Sequence, residues 1–443
     1  MLRKREDIEK SLPKDGEYFD VIVGGGGPAG IGAALAAATN GANTLLLESR
    51  AFFGGVAAVS GWMPMNRILL NGGSRGGINE LFVNKLRSYG KDGCREGKTS
   101  WVDGDGLHIH PDYLRLAVME LLEETGAKYL VHSPVTGVEM DGNRITSIVS
   151  GGKYGKRRYA ADVYIDATGD GDIAYHAGVP MQKGREEDGV FMPATIGFVL
   201  ANVDEEKLFS ALSEKTGYTD FTGKIKEKAK EGYATAIFYS FDRTTIPGVI
   251  SVNNGGQEGI GIIDASKIDD LNVSLRSGLQ VAMDFVRIVR ELKLPGLENC
   301  SLVRAGQDLG IRETRRIEGE YVLSLEDSQQ GKSFDDVVAL RYGTIDPGGL
   351  KEEKNYHGTI KNGHDYPYRC MLPKNVDPLL VAGRCASLTH LGLATCKSMG
   401  NMMAIGQAAG VAAALCAKEK VLPRNIDVKK IQQRLREMKV LLA

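Results

Sequence analysis

The stretch Phe19-Asp-Val-Ile-Val-Gly-Gly-Gly-Gly-Pro-Ala-Gly30, running on into Ile-Gly-Ala-Ala-Leu-Ala-Ala-Ala38, constrains this chain more than any other. Val21 to Val23 read as a short buried strand, and the alanine-rich run to Asn40-Gly41 reads as a helix. Between them Gly25, Gly27 and Gly30 fall on the G-x-G-x-x-G spacing. One such glycine allows the tight turn, one lets a pyrophosphate approach the backbone, and one packs helix against strand. The anion then meets the free N–H groups and positive dipole end of the helix. A lone triplet of this kind is weak evidence, but here a second strand follows, Thr44 to Leu47, closed by Glu48. An acidic residue roughly 20 positions downstream is where ribose hydroxyls are held. The reading is a dinucleotide site on an α/β fold.

A chain of 443 residues is long enough for two or more domains. Its net charge of -1 gives no reason to expect nucleic acid or an anionic membrane as partner. Cysteines 94, 300, 370, 385, 396 and 416 show no C-x-x-C pair, which argues against an iron–sulfur cluster, a metal site or a redox disulfide. Met-Leu-Arg-Lys-Arg-Glu-Asp at the N-terminus lacks the apolar core of a signal peptide. No apolar run is expected to span a bilayer, so the expected location is the cytoplasm.

Along the chain, residues 1–17 form a charged lead segment, and Gly54-Gly55 follows the second strand. Residues 57–77 read as a glycine-punctuated loop, 78–89 and 111–126 as helices, and 129–131, 135–139 and 144–149 as strands around an Asp141-Gly142 turn. Val163 to Asp166 is a buried strand entering a glycine turn. From about 185, β-rich pieces at 195–200, 234–241 and 249–252 surround a charged helix near 204–231. A helix over 271–292 carries apolar residues at 271, 275, 279, 282, 285, 289 and 292. Leu379 to Arg384 is another buried strand, and Met402 to Ala417 a buried helix whose Gly406 and Gly410 let something pack close. The expected organisation is a Rossmann-like nucleotide domain in two parts, 18–184 and 301–425, around an inserted antiparallel β-sheet substrate domain, 185–300, with a C-terminal helix over 426–443.

Four separated pieces share one format, a buried strand ending in glycine: the first motif, Gly54-Gly55, Asp166-Ala-Thr-Gly169 and Ala382-Gly-Arg384. A nicotinamide dehydrogenase needs only the first, whereas a long extended cofactor touching one sheet edge at several points needs them all. That pattern points to FAD. These pieces, with Gly310-Ile-Arg-Glu-Thr-Arg-Arg-Ile317, Tyr366-Pro-Tyr-Arg369 and Met399-Gly-Asn-Met-Met-Ala-Ile-Gly-Gln-Ala-Ala-Gly410, resemble the FAD-dependent oxidoreductase family of the glutathione-reductase-like superfamily.

The resemblance implies a cradle for the pyrophosphate at Gly25, Gly27, Pro28, Ala29 and Gly30, with Glu48 at the adenosine ribose. It places Ser49, Arg50, Gly55 and Val56 along the nucleotide and ribityl path, and Val135 at the adenine. Ala167, Thr168 and Gly169 would form a second wall, and Gly383 and Arg384 would approach the ribityl chain or pyrophosphate. The helix start at Gly400, Asn401 and Met402 would aim at the flavin ring. Relatives often carry an arginine just before that helix, where this chain has Lys397. No histidine follows Gly55, so the implied FAD is non-covalent, and no second G-x-G-x-x-G indicates a nicotinamide domain.

Catalytic candidates are Arg312, Arg315, Tyr368, Arg369 and His390, with no metal ligands expected. An arginine of the 312–316 knot would clamp a substrate carboxylate or assist proton transfer, or the knot is an interdomain salt-bridge cluster. Tyr366, Tyr368 and Arg369 would roof the flavin, and His390 would be a general base or a local hydrogen-bonder. His357 and His364 are weaker candidates, and Cys385 and Cys396 read as inert thiols. The expected activity is hydride transfer between flavin N5 and a CH–OH or CH–CH bond of a small organic substrate. A fumarate-reductase-like reductase, an electron-relay flavoprotein subunit and a dead FAD-binding protein stay open as alternatives, as does a homo-oligomer.

Overall fold

The computed structural model describes residues 5–6, 9, 12–70, 73–97, 106–257, 260, 262–348 and 359–442, apart from the side chains of 344 and 359–362. Strand β1 (Tyr18–Gly24) runs into helix α1 (Pro28–Thr39), and β2 (Thr44–Leu47) returns beside it. Helices α2 (Gly77–Ser88) and α3 (Pro111–Thr125) follow, then β3 (Lys128–Leu130), the hairpin β4 (Val135–Asp141) and β5 (Arg144–Gly152), and the long strand β6 (Gly155–Asp166). The main sheet has the order β3-β2-β1-β6-β5-β4. Further along the chain, Leu379–Val381 adds a strand to the C-terminal half of β6.

Parallel pairing joins β3, β2, β1, β6 and Leu379–Val381, while β4 and β5 pair antiparallel. Register sets Gly24 against both Leu47 and Asp166, and Asp166 against Val381. Four strands therefore end at one height, and the turns that follow them share one edge. In open parallel sheets that C-terminal edge is where ligands bind.

The antiparallel sheet is built from β7 (Phe198–Ala201), β8 (Tyr239–Arg243), β9 (Ile250–Asn254) and, after helix α4 (Ile268–Glu291), β10 (Ser301–Ala305), in the order β8-β9-β7-β10. Its fourth strand lies just beyond residue 300, where sequence reading ended the module. The expected single helix over 204–231 is two, Glu205–Ser213 and Gly217–Glu227. The chain turns back between them, where Gly217 packs against the Ala211 carbonyl. Helix α4 buries Ala282, Phe285 and Val289 against the sheet, but Leu275 and Leu279 of the expected stripe are 37% and 41% exposed. Ser274, Ser277 and Val281 take the inner face instead, because Gly278 sits on Ile196. The expected loop over 57–77 contains a short helix, Val56–Val59, and the small strands Met65–Asn66, Leu69–Leu70 and Gly73–Ser74.

The chain returns through β11 (Val337–Thr344) paired with β12 (Thr359–Pro367), then β13 (Leu379–Val381), α5 (Met399–Glu419) and α6 (Val428–Glu437). Helix α5 is long and apolar enough to cross a membrane by length and composition, contrary to the sequence reading. Its apolar window is 94% buried inside the protein, so its surface is taken up by other elements. The main partner is α1. A Cβ on Gly406 would stand 1.9 Å from the Ala29 carbonyl oxygen, and one on Gly410 would stand 2.2 Å from that of Ala33. The two helices run parallel at backbone contact, which explains why both are built of alanine and glycine.

Candidate functional site

A cleft of about 410 Å³ opens along the sheet edge. Its floor is the turn from β1 into α1. Gly25 has φ +95°, and a Cβ there would lie 2.3 Å from the Ala167 oxygen. A Cβ on Gly30 would lie 1.7 Å from the Gly25 oxygen. Packing within the protein therefore demands both. Gly27 is different: its φ is -75° and its nearest potential contact is Gly55 Cα at 3.9 Å. No neighbour among the described residues requires glycine there, and the bare backbone at the uncapped start of α1 suits close approach by a phosphate.

Glu48 is 4% exposed and fixed from three sides. Its Oε2 accepts the Gly26 N–H at 2.7 Å, and its Oε1 accepts the Arg50 N–H at 2.7 Å and the Ser49 hydroxyl at 3.0 Å. A carboxylate offers about four lone-pair sites, so acceptor capacity remains for a ribose hydroxyl. Ser49, Arg50 and Val135 line the same cleft, as do Pro28, Ala29, Gly55 and Val56. The Arg50 guanidinium is tied to Asp308, its Nε donating at 3.1 Å.

The opposite wall is Ala167, Thr168 and Gly169. Asp166, fully buried beneath it, shapes the turn by accepting from the Thr168 N–H and hydroxyl and from the Ala174 N–H. Arg384, beside Gly383, donates to Asp170 at 2.8 Å and to Thr314 at 2.8 Å. Its charge is met by Asp170 rather than standing free for a phosphate. Burial works against ionisation of Asp170, yet the Arg384 charge holds its carboxyl below the ordinary range. Asp172, also on the wall, is pushed up to about 6 by burial, with Asp166 and Asp170 adding to the rise.

Beyond these motifs the cleft widens into a chamber walled by Phe238, Asn253, Arg312, Tyr342, Asp346 and Lys397. Arg312 donates to the carbonyls of Pro193 at 2.5 Å and Asn254 at 3.1 Å. Lys397 pairs with Asp346. Burial opposes ionisation of Asp346, but Lys397 and Arg312 hold it well below the usual carboxylate range. Burial also draws Lys397 below its ordinary value, against the pull of Asp346. Ser398, Met399 and Met402, at the start of α5, close this end. The Ser398 hydroxyl there is buried without a hydrogen-bond partner among the described residues.

Three expected cofactor residues stand behind the wall rather than on it. Gly30 packs on Gly25, and Gly400 packs on the Arg67 backbone. Asn401, fully buried, accepts from Arg75 at 2.9 Å and ties to Tyr342 through its backbone N–H and carbonyl. Of the catalytic candidates, the cleft lining contains Arg312 but not Arg315, Tyr368, Arg369 or His390. Arg315 reaches the wall through the Asp172 carboxylate, at 2.5 Å, and the Asp170 carbonyl, at 2.7 Å, and stacks on Tyr175. Tyr368 is buried and donates to the Pro423 carbonyl at 3.0 Å. Arg369 pairs with Asp336 on an exposed edge. His390 is fully buried with Nδ1 2.7 Å from Glu313, which also holds Arg316. That group is a structural knot within the protein, and His357 lies outside the described residues. Sequence reading missed Asp346 and Tyr342, which sit in no glycine motif and reach the cleft only by folding, and gave no role to Asp170, which lies between Gly169 and Gly171.

The glycine-lined floor, the fixed Glu48 and two helix starts facing one cleft fit an extended nucleotide cofactor. A protein from the nifH2 5′ region of Methanosarcina barkeri, itself uncharacterised, is 28% identical over 185 residues, 38% of this chain and 92% of that one. Among solved structures, a geranylgeranyl bacteriochlorophyll reductase-like protein from Thermoplasma acidophilum aligns over 95% of this chain and 84% of its own, with 15% identity and a TM-score of 0.52. The myxobacterial chondrochloren halogenase, described as an FAD-dependent halogenase, aligns over 96% and 79%, with 13% identity and a TM-score of 0.51. The model of the family described as FAD dependent oxidoreductase matches residues 20–435. The chain belongs to that family, and its cofactor is FAD.

Proposed function

We propose that the protein is a dehydrogenase that takes a hydride from a CH–OH or CH–CH carbon of a small organic substrate. The observation that carries this is the continuity of the cleft. It runs from the cofactor-holding turns into a chamber shared by the antiparallel sheet, through Phe238 and Asn253, and the nucleotide domain, through Asp346 and Lys397. A substrate there would be held against the far end of the cofactor. Bound FAD supplies a two-electron acceptor for the hydride, and for an alcohol the remaining hydroxyl proton leaves to water. Gly25, Gly27 and Ala29 would hold the pyrophosphate, Glu48 the ribose, and the start of α5 the far end of the cofactor. His390, sealed against Glu313, takes no part in proton transfer on this reading. The fold neighbours include a reductase and a halogenase, so fold alone leaves the chemistry open.

The test is an anaerobic screen of hydroxy acids, sugars, amines and enoates against the purified yellow protein. Bleaching of the flavin band near ~450 nm by an alcohol or saturated substrate is expected. Reoxidation of pre-reduced flavin by enoates alone would reverse the assigned direction. A protein bleached by none would remove the dehydrogenase reading. A cytoplasmic site and a homo-oligomeric state remain part of this proposal, the former supported by six buried free thiols.

A further inference from the structure

We infer that the chamber binds a carboxylate, and that Arg312 and Lys397 are the clamp that selects an organic acid as substrate. This rests on the reading of the chamber as the substrate's end of the cleft. The argument begins with charge. Three of the carboxylates on the cleft wall already have a cation: Asp170 has Arg384, Asp172 has Arg315, and Asp346 has Lys397. The fourth, Glu48, is held by N–H and O–H donors at the nucleotide end. Arg50 is taken by Asp308.

Arg312 is left over. It is half-buried, and among the described residues it makes no ion pair within 4.0 Å. Its two hydrogen bonds go to neutral carbonyls, those of Pro193 and Asn254. Its nearby anion, Asp346, is already paired with Lys397; a guanidinium drawn partly out of water with no anion in direct contact is costly, and a carboxylate relieves that cost. Five N–H donors in a rigid fork leave three after those two carbonyls, enough for a two-point grip on a carboxylate. The carbonyls fix the fork in advance, so little orientation remains to be lost on binding.

Lys397 adds a second cation to the same chamber. One Asp346 cannot neutralise both, so the group carries one excess positive charge. Lys397 also sits immediately before the start of the 21-residue helix α5, whose positive dipole end adds to the same field. The FAD pyrophosphate is the competing anion, but its cradle at Gly27 and Gly55 is the floor at the turn from β1 into α1, whereas Arg312 is anchored to the antiparallel sheet at Asn254.

The experiment uses the FAD-loaded protein titrated with malonate and, in parallel, with its uncharged diamide malonamide, reading the flavin absorption band and the melting temperature. Malonate should perturb the band and raise the melting temperature, and malonamide should do neither. Arg312→Gln should weaken malonate at least about tenfold while keeping its flavin, Lys397→Gln should weaken it severalfold, and Arg312→Lys should retain part of the affinity. Equal effects of malonate and malonamide, no effect of either, or unchanged malonate binding in folded Arg312→Gln would each overturn the proposal. Loss of FAD from folded Arg312→Gln would also overturn it, by assigning that arginine to the cofactor. Wild-type protein that fails to bind FAD would instead strike the reading beneath it, and flavin content tells the two failures apart.

Discussion

Gly406 lies so close to Ala29 that a Cβ on it would stand 1.9 Å from the Ala29 carbonyl oxygen. This contact sets the relative height of two helices that both begin at the cleft. Helix α5 starts at Met399, seven residues before the contact, while α1 starts at Pro28, one residue before its own side of it. A second contact, a Cβ on Gly32 standing 2.3 Å from the Met403 carbonyl oxygen, lies four residues from the start of each helix. Two positive helix ends therefore face one groove, an arrangement that suits a cofactor with a phosphate in its middle and an electron-accepting ring at its end.

Substitution Gly406→Val should be among the most damaging in the chain. It forces side-chain atoms into backbone that cannot move without separating α1 from α5. A loss of stability of at least about 3 kcal/mol is expected, with flavin lost as the two helix starts shift. Thermal melting and flavin content of the purified variant check it; a melting temperature close to wild type would refute the contact.

The two glycines of the first turn should separate folding from cofactor binding. Gly25→Ala places a Cβ 2.3 Å from the Ala167 oxygen at φ +95°, so it should destabilise the protein even without cofactor. Gly27→Ala meets nothing closer than 3.9 Å, so the apoprotein should melt as wild type while FAD affinity drops at least about tenfold. Melting of apoprotein together with FAD titration reads both; equal behaviour of the two variants would contradict the distinction.

Glu48→Gln keeps the shape of the side chain but can accept from only one of the Gly26 and Arg50 N–H groups, since an amide NH2 cannot accept. It removes the charge and one acceptor oxygen that a ribose hydroxyl would use. FAD affinity is expected to fall by about tenfold, the worth of one charge-assisted hydrogen bond. Fluorescence titration of FAD into apoprotein measures it.

Stability should decline on acidification partly through His364. Burial and the neighbouring Arg341 lower its value from 6.5 to about 4. Above the ordinary value both folded and unfolded chains carry the neutral ring, and stability is unaffected. Between that value and about 4 the unfolded chain takes up a proton that the folded one refuses, so stability falls as pH falls. His364→Gln should flatten this part of the melting-temperature profile, and an unchanged slope would rule the residue out.

The nucleotide half of the protein was legible in the chain itself. Local demands write themselves into local sequence: a turn at φ +95° must be glycine, a buried parallel strand must be apolar, and a helix at backbone contact with another must be small. Gly25, Glu48, Gly55, Thr168 and Gly383, all on the cleft, are therefore marked in the sequence itself. The chamber could not. Arg312, Asp346 and Lys397 come from separate elements, and no spacing marks the meeting of a β-sheet carbonyl with a loop before a distant helix. Tertiary structure alone also decided which charges are spent and which are free: it set Arg384 on Asp170 and sealed His390 against Glu313, leaving Arg312 with neutral carbonyls. Charge pairing depends on what approaches from elsewhere in the chain, and that is fixed only when the chain has folded.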